Sequence, residues 1–250
     1  VKAALKNCGF RFPSRRVTIN LAPADLRKEG SALDLAIALG ILLTDGQLQL
    51  PQGKKLIAVG ELSLDGSLRP VPGVLAMADC ARRQGFDSML IAAENADEAC
   101  LVEGLTVYAL PNLRQLVPET QRAELSAGVE KRYEFDTEGL AHIQQNRAFS
   151  STVSKYENDL DYADVLGQEH AKRALTIAAT GMHNILLSGP PGTGKTMLIK
   201  RLPGIMTELS ENEALEATKI LSAAGRLNQV RSGLIRRRPF RAPHHTISPS

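Results

Sequence analysis

Residues 189–196 read Gly-Pro-Pro-Gly-Thr-Gly-Lys-Thr, and their types and spacing suit one kind of chemistry. They satisfy G-x-x-x-x-G-K-[ST] at every fixed position, the pattern of a loop that cradles phosphate. The glycines Gly189, Gly192 and Gly194 let the backbone curl and aim successive N–H groups at an anion. Pro190, Pro191 and Thr193 fill the variable positions. Lys195 is placed to reach the β- and γ-phosphates, and the Thr196 hydroxyl to hold a Mg²⁺ ion. The expected ligands are therefore ATP and Mg²⁺.

Such a loop works only between a strand and a helix. Asn184-Ile185-Leu186-Leu187-Ser188 is a short apolar run suited to a buried parallel strand. Met197 to Leu202 suits the opening of a helix, whose N-terminus favours an anion. Upstream, Gln168 to Thr180 carries Ala171, Ala174, Leu175 and Ala178 at helical spacing.

The rest of the chain has ordinary globular composition: 250 residues, 43% hydrophobic, 23% charged, net charge +3. That length suits two modest domains. The net charge is too small to argue for nucleic acid by itself. With no Trp and 4% aromatic residues, a base-stacking platform is not expected. Cys8, Cys80 and Cys100 lack metal-ligand spacing and read as reduced thiols of a cytoplasmic protein. The longest apolar stretch, Leu33 to Leu43, contains Asp34 and is too short and polar to cross a bilayer. No signal peptide is evident, so a cytoplasmic location and no membrane partner are expected. The chain opens at Val1 in helical sequence and stops at Ser250 inside a segment with no natural finish. It reads as a piece of a longer protein.

Residues 1–118 alternate strand and helix signals, as an α/β or α+β domain does. Strands are expected at Arg16–Leu21, Lys55–Leu62, Ser88–Ala92 and Thr106–Leu110. Helices are expected at Leu33–Leu43, Val74–Gln84 and Ala96–Leu101, and Asp65-Gly66 marks a hairpin turn. Residues 119–160 turn charge-rich, then polar and serine-rich, and read as a linker. A second domain is expected over 161–250.

Particular residues carry resemblances to known families. Val165-Leu166-Gly167-Gln168 resembles the hydrophobic-x-Gly-Gln segment that lines the adenine pocket in AAA+ ATPases, so Val165 and Leu166 are expected against the base. His183 to Thr196, with Arg238-Pro239-Phe240-Arg241-Ala242-Pro243-His244-His245-Thr246, resembles the magnesium-chelatase-like branch of that group. The first domain resembles the proteolytic domain of Lon, a ribosomal S5 domain 2-like fold. Lys28 to Asp34 is similar to the Lon nucleophile segment, and Gly60 to Gly73 to the segment leading into its catalytic lysine.

In that register the nucleophilic serine falls at Ala32 and the lysine at Leu75, 43 residues apart as in the family. A Ser–Lys dyad needs a hydroxyl and a desolvated amine within hydrogen-bond reach, and these positions supply neither. Ser31 is one residue off, rotated by about 100° if helical. Arg82 and Arg83 cannot serve as bases near neutral pH. Asp25 and Glu29 are given no catalytic role. The order of an inert Lon-like domain before a chelatase-like P-loop domain with a parallel sheet resembles the ComM/YifB family of Mg chelatase-like ATPases. That resemblance implies a hexameric ring of identical subunits. In the ComM case it implies a helicase driving DNA branch migration during transformation. A chelatase motor subunit and a Lon-like ATP-dependent protease are the alternatives.

Arg231, Arg236, Arg237, Arg238 and Arg241 are the candidate DNA contacts, with a solvated loop or a subunit interface as the bland reading. His244-His245 has no third ligand nearby, and no metal is expected there. No apolar strand ending in Asp-Glu follows Thr196, so the carboxylates that hold Mg²⁺ and activate water are missing from these residues. They are expected to bind ATP without hydrolysing it.

Overall fold

A computed structural model describes residues 1–22, 30–51, 53–141, 160–227 and 233–240. The chain divides into two compact units, Val1–Asn146 with Thr218–Gly233, and Arg147–Ala217 with Leu234–Ser250.

The first unit is a mixed α/β fold. Helix α1 (Lys2–Asn7) and helix α2 (Asp34–Thr44) precede strands β1 (Leu48–Gln49), β2 (Leu56–Ala58), β3 (Glu61–Leu62) and β4 (Leu68–Arg69). Then follow α3 (Val74–Arg83), β5 (Ser88–Ala92), α4 (Ala96–Ala99), β6 (Thr106–Leu110), α5 (Glu119–Ser126) and β7 (Tyr133–Glu134). The main sheet runs β2-β5-β6, all parallel, with Leu56 opposite Ser88 and Ser88 opposite Thr106. Parallel neighbours need a crossover, and α3 and α4 lie in the two connections. β5 is the central strand, and all five of its residues are buried. This explains its unbroken Ser-Met-Leu-Ile-Ala run, because a strand covered on both faces has no reason to alternate.

Helix α2 is apolar on almost every side, and it buries Leu35, Ala38, Leu39, Ile41 and Leu42. They share one core with Leu5, Leu90, Leu110, Leu113 and Leu116. The hairpin turn at Asp65-Gly66 forms as its sequence suggests. β3 and β4 pair antiparallel, with Leu62 opposite Leu68. The Asp65 carboxylate accepts from the Ser67 hydroxyl at 2.7 Å and from its N–H at 3.0 Å, which holds its pKa below the usual range.

Three expectations change in the first unit. Arg16–Leu21 alternates like a strand but forms no ladder, and Ile19 is 51% exposed. Alternation is necessary for a half-buried strand, but pairing makes one, and none of the described residues pairs with this segment. Lys55–Leu62 splits in two. After Val59, whose N–H still reaches the Leu90 carbonyl, Gly60 bonds instead to the carbonyl of Ala32 and the N–H of Leu35. That bend carries β3 out of the main sheet.

The third change concerns residues 119–141, read from sequence as linker. They form α5 and β7 and close the first unit. β7 pairs with β1, Leu48 opposite Tyr133. Leu125, Tyr133, Phe135 and Leu140 enter the same core as α2. Phe135 meets Tyr108 edge to face, with centroids 5.2 Å apart and planes at 82°. The abundant charges conceal this because they sit on the outer face. The inward residues show a period of two at Tyr133-Glu134-Phe135, a signal too short to stand out.

In the second unit a short 3₁₀ turn at Tyr162–Asp164 is capped by Asp161, and α6 (Glu169–Gly181), α7 (Lys195–Arg201) and α8 (Glu211–Ala223) follow. From Thr218 onward α8 groups with the first unit, where Lys219 pairs with Asp79 at 2.5 Å. Asn184–Ser188 is in no strand among the described residues, and Leu186 is 91% exposed. The apolar run is present, but no paired neighbour gives it a ladder. No described helix is long and apolar enough to cross a membrane.

The three cysteines are free: Cys8 is buried, Cys100 half-buried and Cys80 exposed. Burial pushes the Cys8 thiol up, and the Cys100 thiol up to about 11. Thiolate is the reactive form, so at pH 8 roughly one part in a thousand of Cys100 is nucleophilic. Iodoacetamide at pH 8 should alkylate Cys80 and spare Cys8 and Cys100, as read by peptide mass mapping.

Phe135→Ala should destabilise the first unit by about 3–5 kcal/mol, as emptied aromatic core sites do. Urea unfolding reads this directly. A shift under about 0.5 kcal/mol would restore the linker reading.

Candidate phosphate-binding site

The loop geometry begins with two glycines. Gly192 and Gly194 have φ of +83° and +81°, a region that side chains rarely enter. A Cβ on Gly194 would also stand 3.3 Å from Met197 Cε. The chain passes through this turn and directly into α7, with Gly194 at its N-cap and the carbonyl of Gly194 accepting from Leu198 N–H at 3.0 Å.

The loop is closed on itself by Lys195. Its ammonium donates to the carbonyls of Gly189 at 2.7 Å and Pro190 at 2.6 Å, and to Thr193 Oγ1 at 3.2 Å. Thr193 Oγ1 in turn donates to the Pro190 carbonyl at 3.0 Å. The positive charge therefore sits at the loop from Gly189 to Thr193. Thr196 is exposed on the first turn of α7. This donor set fits a triphosphate with its Mg²⁺: main-chain N–H groups and an ammonium for phosphate oxygens, and a hydroxyl for the ion.

Below the loop lies a small core of Val165, Leu175 and Leu198, with Tyr162 and Leu187 against it. It ties α6 and α7 together behind the phosphate site. The Tyr162 hydroxyl donates to the Leu198 carbonyl at 2.8 Å, and burial raises its pKa. Arg201 donates to the Asp161 carbonyl at 2.8 Å and pairs with Asp164 at 3.8 Å. These contacts join the segment before the expected adenine pocket to the helix after the loop.

The two expected adenine residues differ in role. Val165 is buried in this core, so it anchors the segment. Leu166 is 95% exposed and is the apolar surface on offer to a base. Gly167 and Gln168 then take φ of +69° and +60° to turn the chain into α6. Gln168 Nε2 reaches the Thr193 carbonyl at 3.4 Å, so this segment touches the phosphate loop directly. Sequence reasoning missed Gln168 as a loop contact, although it ends the recognised hydrophobic-x-Gly-Gln segment.

The basic cluster is only partly in view. Arg231 and Arg241 lie outside the described residues, as do His244 and His245. Arg238 is held within its own unit. It donates to the Thr207 carbonyl at 3.1 Å and pairs with Glu213 at 3.4 Å. Hydrogen bonds from the Ser210 N–H and hydroxyl, reinforced by Arg238, hold the Glu213 carboxyl below its usual range. Arg236 and Arg237 also have interaction partners. The described members of the cluster are thus engaged within the protein. No group of three or more His, Cys, Asp and Glu able to hold a metal is found among the described residues.

At the positions of the expected lost dyad, the Ala32 carbonyl accepts from Gly60 N–H at 2.9 Å. The Ser31 hydroxyl donates to the Glu61 carboxylate. Leu75 is fully buried, and its N–H donates to Glu98 at 3.0 Å. Asp25 and Glu29 lie outside the described residues.

Residues 161–250 match the family described as magnesium chelatase, subunit ChlI, and residues 1–95 match one described as subunit ChlI of Mg-chelatase. These matches define a Mg chelatase-like protein of the AAA+ group. Competence protein ComM of Haemophilus influenzae is 43% identical over 248 residues, covering 99% of this chain and 45% of the relative. YifB of Escherichia coli is 38% identical over the same shares. Lon protease 2 of Bacillus subtilis is 25% identical over 121 residues, 48% of this chain and 21% of that protein. The chain belongs to the ComM/YifB family of Mg chelatase-like proteins, and it spans about half the length of the ComM and YifB relatives.

Lys195→Ala should weaken Mg-ATP binding by about tenfold or more, since a charge-assisted contact to phosphate is lost. Isothermal titration calorimetry measures the loss. Lys195 packs into no core, so the unliganded melting temperature should stay within about 2 °C.

Proposed function

We propose that the protein is an AAA+ ATPase motor of the ComM/YifB type that acts on branched DNA. The observation that carries the reading is the Lys195-centred loop, joined to the Val165–Gln168 segment, in a chain 43% identical to a competence protein. In this reading Gly189 to Thr196 bind the triphosphate through main-chain N–H groups. Lys195 opposes the charge on the β- and γ-phosphates, and Thr196 holds Mg²⁺. The exposed face of Leu166 packs on the adenine. Thr196 is the residue that would hold Mg²⁺, which when bound would supply charge stabilisation for the transferring phosphoryl group. Cycles of binding and hydrolysis then move a ring of subunits along DNA.

The first unit is proposed to be an interaction module without peptidase chemistry. Ala32 offers no nucleophile, and Leu75 no base. Casein and peptide cleavage should stay at background and be unaffected by Ser31→Ala. Cleavage abolished by that change would move the register by one residue and restore a protease.

Hydrolysis also needs carboxylates for Mg²⁺ and for the attacking water. Residues 197–250 contain four glutamates and no Asp, so no Asp-Glu pair is available there. Residues 1–250 alone should bind ATP yet release phosphate at background.

The decisive experiment is fork unwinding by the full-length protein with Lys195→Ala as the control. Activity should fall by about a hundredfold or more in the variant. Unwinding that survives the change would refute a motor driven from this loop. Porphyrin metallation without DNA activity would favour the chelatase reading instead.

A further inference from the structure

The DNA-acting reading leaves open which surface takes the nucleic acid, and of the arginines first considered Arg238 is engaged by Glu213 and the Thr207 carbonyl. Charge elsewhere is distributed unevenly. Residues 1–24 hold five cations, Lys2, Lys6, Arg11, Arg15 and Arg16, and no Asp or Glu, in a chain whose total net charge is +3. All five are exposed in the first unit. Lys6 and Arg11 line an open groove of about 560 Å³, floored by Phe10 and Phe12 and reaching Asp45.

We propose that this groove and the cations beside it bind the phosphate backbone of duplex DNA. The proposal rests on the DNA-acting reading above and names the surface that serves it. Among the described residues, two of these cations pair with acids: Arg11 with Glu130, and Arg15 with the half-buried Asp45 at 3.5 Å. Both arginines are themselves exposed, and surface pairs of this kind contribute little and can exchange for a phosphate. Five cations against two paired carboxylates, among the described residues, leave the surface positive. The Arg11 backbone is fixed by Gln47, whose Oε1 accepts from Arg11 N–H at 2.9 Å and whose Nε2 donates to its carbonyl at 2.8 Å. The cations therefore stand on an ordered rim.

The aromatic residues decide between duplex and single strand. A single-strand site needs an open ring face for a base to stack on. Phe10 is buried, and the Lys2 ammonium lies over the Phe12 ring, 5.2 Å from its centroid. The groove presents charge where a stacking site would present a ring, which suits backbone contacts. A surface of this kind binds without reading sequence, and its affinity falls steeply with salt.

The test uses the full-length protein, a fluorescein-labelled duplex and anisotropy over a range of salt. The variant is Lys6→Gln with Arg11→Gln, both on exposed side chains. Its melting temperature and DNA-free ATPase rate should match wild type. Duplex affinity should fall about tenfold, and the slope of log K against log salt should flatten by about 2. Wild-type affinity and slope in a folded variant would overturn the groove while leaving the motor reading intact. A wild-type protein that neither binds nor unwinds DNA would overturn both. Binding to phosphatidylglycerol vesicles in place of duplex would also overturn the proposal.

Discussion

The candidate phosphate loop depends on one backbone constraint. Between Gly189 and Lys195 the chain reverses tightly enough that the Gly189 and Pro190 carbonyls and Thr193 Oγ1 all meet the Lys195 ammonium. Gly192 and Gly194 meet this by taking left-handed φ, and α7 begins at once from that turn. A side chain at Gly194 would be strained in its backbone and crowded by Met197. Lys195 follows because the same turn sets its side chain across the loop carbonyls. The neighbouring packing of Val165, Leu175 and Leu198 holds the two helices that the turn joins.

The first unit rests on a different constraint, the burial of β5. A strand covered on both faces must be apolar throughout, and each neighbour must be parallel because helices fill the crossovers. That core takes in Leu75, which is fully buried. What the unit retains is surface, and its most basic stretch lies in residues 2–16.

Much of this was legible in the chain itself. The phosphate loop was complete as a string, because each of its roles belongs to a residue type at a fixed spacing. Helices α3 and α6 were legible from apolar residues at helical spacing, and α2 as an unbroken apolar run closed by the Asp45-Gly46 turn. β5 and β6 were legible as short apolar runs between turn signals. Errors arose where structure depends on a distant partner. Arg16–Leu21 alternates correctly and still finds no strand to pair with among the described residues. Asn184–Ser188 is apolar enough for a buried strand and pairs with none of the described residues.

The sequence by itself determined the phosphate-loop pattern of Gly189 to Thr196, the family resemblance that the comparisons bear out, and that Ala32 carries no hydroxyl and Leu75 no amine. These follow from side-chain identity, which needs no fold to be read. Only the tertiary structure decided that residues 119–141 belong to the first core, that Val165 anchors while Leu166 faces outward, and that Arg238 is bound to Glu213. Each of these rests on contacts between residues far apart in the chain. Burial and pairing energies depend on those contacts, and local composition carries no record of them.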